Sequence, residues 1–207
     1  MTDVTYTTQV IGCVTISIED EVTWWTHEQV YAQLTAQALD LDYLQAHKFQ
    51  LFIHVRSDWP SGGFGSGHQI YVRPGPPAPC NQFGDYSSCT LVSILTLQAN
   101  PNSGQFVYNA SPLGHPERLM AHEFGHAWTH YFRLKYHNGS WDEYVAQRNI
   151  EPGSYASTVP HEVIAEDYRI CFGTPAAVES GLPNPDGVAP PTPAQCAFLA
   201  DVWRVLV

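Results

Sequence analysis

Lysine is nearly absent from this chain: Lys48 and Lys135 are the only two among 207 residues. Charged residues of all kinds make up 14%, well below the roughly 25% of an ordinary soluble protein. The formal net charge is −11, which argues against nucleic acid and anionic membrane surfaces as partners. No apolar run approaches the roughly 18 residues that would span a bilayer. The first residues, Met1-Thr2-Asp3-Val4-Thr5, lack the basic and apolar regions of a signal peptide. No Cys-x-x-Cys pair occurs among Cys13, Cys80, Cys89, Cys171 and Cys196, which argues against a cysteine-based zinc site. Cys80 and Cys89 bracket a short loop-like segment and are candidates for a disulfide, with five free thiols as the alternative. Hydrophobic residues at 44% and aromatics at 13% give ample material for the core of one domain.

Alternating Val14, Ile16 and Ile18 predict a strand over 9–18. Thr26 and Gln29 form a capping-box pattern, and Val30, Tyr31, Leu34, Ala38, Leu41 and Leu44 then follow helical spacing, so one helix is expected over about 26–46. Further strands are expected at 49–55, 68–73 and 90–97. Between them, residues 57–67 are glycine-rich, either a plain connection or a flap over a cleft. The run 90–97 or the shorter 105–108 is the expected sheet edge for an extended substrate. Helices are predicted over about 116–134, 141–148 and 160–172, with 174–194 as a loop and a last helix from Thr192–Pro193 to about Leu206. The expected fold class is α+β, in a single domain with a sheet-containing lobe over 1–114 and a helical lobe over 115–207.

The chemistry concentrates in His122-Glu123-Phe124-Gly125-His126. On a helix, residues four apart share a face, so both imidazoles reach one zinc ion while Glu123 reaches a water beside it. The helix is apolar on nearly every side, which places the histidines in the interior or on a cleft floor. A catalytic zinc wants a third protein ligand and one open position. A histidine six residues after His126 would supply it in metzincins, but Phe132 stands there. The stretch 160–169 instead offers Glu162 and Glu166, four apart on one helix face. Glu162 is the expected third ligand. Glu166 would orient a ligating histidine, with Asp167 or His161 as alternatives for that role.

With Tyr155 seven residues before Glu162, these motifs resemble the gluzincin-type peptidases related to anthrax lethal factor and the Pro-Pro endopeptidases. The similarity covers about residues 113–172. It implies a zincin-like fold, one Zn2+ per chain held by His122, His126 and Glu162, Glu123 as general base, and Tyr155 as oxyanion stabiliser. It implies a metalloendopeptidase acting on a peptide or protein substrate. A monomer is expected, without nucleic-acid or membrane partners. A binding or toxin-like module with a mainly structural zinc is the alternative. The scarcity of lysine and the abundance of Tyr, Trp, Asn and Gln point to secretion, with the cytoplasm as the alternative.

Overall fold

The computed structural model describes residues 4–58, 67–73, 90–98, 106–108, 111–113, 116–135, 140–150, 160–179 and 189–203. Tyr155, Cys80, Cys89 and residues 59–66 of the glycine-rich segment lie outside them. Among the described residues the fold is mixed α+β. All the strands lie before residue 114, and five of the helices follow residue 115.

The expected single strand over 9–18 is a hairpin, β1 (Tyr6–Ile11) and β2 (Val14–Glu19), paired antiparallel with Ile11 opposite Val14. Gly12 makes the correction necessary. Its φ of 59° is left-handed, a conformation open to glycine and costly for the β-branched residues around it. Val14, Ile16 and Ile18 are buried and point toward the helices.

The expected helix over 26–46 is two, α1 (His27–Thr35) and α2 (Leu41–Ala46). Thr26 caps the first in a complete capping box. Asp40 caps the second, accepting from the Tyr43 N–H at 2.8 Å. Between them the Ala38 N–H leaves the helical ladder and bonds Phe172 O at 3.2 Å, so the chain bends onto a helix far along the sequence. The apolar period runs through this break because Leu34 and Leu44 are buried on either side of it.

Helices α1 and α2 form the crossover that parallel neighbours require. They lead into β3 (Phe49–Arg56), parallel to β2. β3 alternates strictly: Phe49, Leu51, Ile53 and Val55 are buried while the residues between are partly exposed. Next come β4 (Gly67–Arg73) and β5 (Thr90–Gln98). The sheet order is β1-β2-β3-β5-β4, with β2, β3 and β5 parallel and both outer strands antiparallel to them. The expected edge at 90–97 is therefore central, and β4 is the edge. The other candidate, β6 (Phe106–Tyr108), pairs with β7 (Ser111–Leu113) in a separate two-stranded ribbon. The near-continuous apolar run of β5 suits a strand covered on both sides, which explains its central place.

Helix α3 (Pro116–Lys135) packs against the sheet and against α5 (Pro160–Phe172). Met120, Phe124, Ala127 and Trp128 are its buried face. α4 (Ser140–Gln147), α6 (Pro175–Glu179) and α7 (Pro193–Trp203) complete the helical side. α6 lies within the stretch 174–194 expected to be loop. Its start is fixed by Thr174, whose Oγ1 accepts from the Ala177 N–H at 3.1 Å. Tyr144 of α4 stacks on Phe198 of α7 with ring centroids 5.9 Å apart. A disulfide joins Cys171 of α5 to Cys196 of α7, while Cys13 is a free thiol. Sequence spacing gave no sign of that pairing, because the partners sit on helices 25 residues apart. No helix of the described residues is long and apolar enough to cross a membrane.

Candidate metal centre

His122 and His126 project from the middle of α3 toward α5. What lets α5 come close is Gly125. A Cβ at that position would lie 2.6 Å from both Cα and O of Ala165, so the two backbones touch where any side chain would separate them. This contact brings Glu162, one turn before Ala165, onto the histidine pair. Glu162 Oε2 lies 3.2 Å from His122 Nε2 and 3.3 Å from His126 Nε2. Atoms ~2.0–2.1 Å from a common centre at tetrahedral angles are ~3.3–3.4 Å apart, so these separations match the edge of a zinc-sized tetrahedron. The ligand atoms of all three residues fall within 4.8 Å of one another, and two imidazole nitrogens with one carboxylate oxygen can hold a metal ion.

Glu166, one turn further on α5, places Oε2 3.1 Å from His122 Nδ1. A carboxylate only accepts, so Nδ1 carries the hydrogen and Nε2 is the nitrogen left for a metal. Asp167 does not share this role, which corrects its placement among the residues expected to orient a histidine. It is wholly buried and faces away, accepting from Arg148 Nε at 2.6 Å, Arg148 Nη2 at 3.1 Å and Tyr144 Oη at 2.8 Å. It ties α5 to the end of α4. His161 sits at the rim, with Nε2 3.5 Å from Glu162 Oε1 and its ring 5.8 Å from that of His126. Sequence reasoning missed Arg118 and Arg169, which both bond Glu166; their signal was only their spacing, one turn from His122 and three residues from Glu166.

Glu123 is 3% exposed. Burial, reinforced by the Glu162 charge and opposed by His122, pushes its pKa up to about 7. Burial opposes ionisation of Glu162 as well, but hydrogen bonds from His122 and His126 hold its pKa well below the usual carboxylate range. Glu166 is held down likewise by His122 and Arg169. Burial would lower the His122 pKa; hydrogen bonds to Glu162 and Glu166, with the Glu123 charge, outweigh it and carry it up to about 10. Burial keeps His126 below its ordinary value. His122 thus holds a proton in the metal-free site, beside Glu162 and a Glu166 that Arg118 and Arg169 also pair.

A metal must displace that proton, which fixes the sign of the pH dependence. Zinc affinity is expected to rise with pH through the neutral range and level off near pH 10, by up to about tenfold per unit for one displaced proton. Competition against a chromophoric chelator at several pH values measures this, and a flat profile would contradict it. No protein-family model, curated protein or solved structure matches the chain.

Proposed function

We propose that this protein is a zinc-dependent endopeptidase of the gluzincin type, with a zincin-like catalytic domain. The observation that carries the reading is the convergence of His122, His126 and Glu162 on one point with the buried Glu123 between the histidines. Two imidazoles and one carboxylate suit zinc among the divalent metals and leave one coordination position for a reactant. When bound, zinc would polarise a carbonyl and lower the pKa of water toward about 7.

The chain's own residues would do the rest. Glu123 takes a proton from the attacking water on a carboxylate oxygen and returns it to the departing amine nitrogen. Glu166 holds the His122 ring in one tautomer. The resemblance to the gluzincin-type peptidases assigns Tyr155, seven residues before Glu162, to the developing oxyanion. An extended peptide would pair with β4, whose outer edge carries no strand among the described residues. The Cys171–Cys196 disulfide favours an oxidising, extracellular setting.

The test is a peptide-library digest beside metal analysis. The protein as isolated is expected to hold about one zinc per chain, to cut some peptides internally, and to stop cutting on chelation until zinc is restored. Stoichiometric zinc with no cleavage across a broad library would instead favour the binding-module reading.

A further inference from the structure

Glu166 is buried, and its two oxygens are divided between two tasks. Oε2 accepts from His122 Nδ1. Oε1 accepts from Arg169 Nη2 at 2.7 Å and from Arg118 Nη2 at 3.3 Å. Arg118 comes from α3, one turn before His122, and Arg169 from α5, three residues after Glu166, so both helices that carry the metal ligands grip this one carboxylate. Arg169 is itself anchored, donating through Nη1 to Ala177 O in α6.

Two guanidinium groups beside a cation site oppose the cation by Coulomb repulsion. Neither contacts a ligand atom; both spend the bond on the far oxygen of Glu166. Their contribution is geometric. With Oε1 engaged by two donors, the carboxylate cannot rotate, and Oε2 stays on Nδ1. That in turn holds the His122 ring with Nε2 toward Glu162 and His126.

We propose that Arg118 and Arg169 are positioning residues of the metal centre, acting on His122 through Glu166. This rests on reading His122, His126 and Glu162 as metal ligands. The experiment is a cycle of single and double variants, read as zinc affinity by chelator competition and as the visible absorption of the cobalt(II)-substituted protein. Glu166→Gln is expected to weaken zinc by about 10–100-fold. Arg118→Gln and Arg169→Gln should each weaken it by about three- to tenfold and shift the cobalt bands, and Arg118→Lys should recover most of the loss. In the Glu166→Gln background, Arg118→Gln should cause no further loss, because the residue it acts through is already gone.

Because Arg169 is buried, its variant can fail to fold; the partly exposed Arg118 carries the cycle in that case, with thermal unfolding of the metal-free proteins as control. Unchanged zinc affinity in the folded arginine variants overturns the proposal, as does an Arg118→Gln loss of equal size with and without Glu166. A wild-type protein that binds neither zinc nor cobalt overturns the metal centre itself, and this proposal with it.

Discussion

Glu123→Gln is expected to lower the turnover of any cleaved peptide by about 10²–10⁴-fold without loss of zinc affinity or of the fold. The side chain is buried beside His122, and glutamine has the same shape without an oxygen that can take a proton at neutral pH. The variant also has a stability signature. A carboxyl whose pKa is raised by the fold favours the native state only while protonated. That contribution is whole below the ordinary value of 4.5 and is lost as pH rises through about 7. In metal-free protein, the wild type should therefore lose stability relative to Glu123→Gln between those values. Denaturant unfolding of both proteins at pH 4.5 and pH 8 measures it, beside single-substrate kinetics of the zinc-loaded forms. Full turnover in zinc-loaded Glu123→Gln would remove Glu123 from the proton path.

Gly125→Val should nearly abolish zinc binding, with an affinity loss of 100-fold or more expected on the scale at which ligand geometry governs a metal site (~10–100-fold for an outer partner alone). The substituent would collide with the backbone of Ala165, which cannot rotate aside as a side chain can. α3 and α5 must part, and Glu162 retreats from His122 and His126 together. Gly125→Ala is the milder version. Overpacking costs about 1–3 kcal/mol, offset by the ~1 kcal/mol that alanine contributes over glycine within a helix. Since the contact is with backbone, Ala165→Gly should not rescue either variant. Chelator competition and urea unfolding with and without zinc report both effects. Undiminished zinc affinity in Gly125→Val would show that something other than this close approach sets the ligand spacing.

Much of the site could be read from sequence because its logic is local. The four-residue spacing of His122 and His126, and of Glu162 and Glu166, puts each pair on one helix face before any tertiary structure is considered. The apolar face of α3 was equally plain, since Met120, Phe124, Ala127 and Trp128 follow the helical period. What escaped was set by distant partners. The bend at 36–40 depends on Ala38 reaching Phe172, and the central position of β5 depends on which strands flank it. Asp167 stood only as an alternative to Glu166; five residues after Glu162 it turns off the metal-facing side of the helix, where Arg148, just past α4, and Tyr144 bind it. Gly125 occupies an unspecified position of the His-Glu-x-x-His pattern, and its role emerges only when Ala165 lies against it.

The disulfide gives α5 an unusual dependence on where the protein matures. Nine residues, about 13 Å of helix, separate Glu162 in the candidate metal centre from Cys171 at the Cys196 bridge. A metal ion bound at the site would fasten one end as oxidation fastens the other, so each fastening would answer to a different property of the surroundings. Chain made where thiols stay reduced and zinc is scarce would have neither. Recombinant material from such a host could then be correctly translated yet have this helix unsecured at both ends, and a negative activity assay on it would report its manufacture rather than its chemistry.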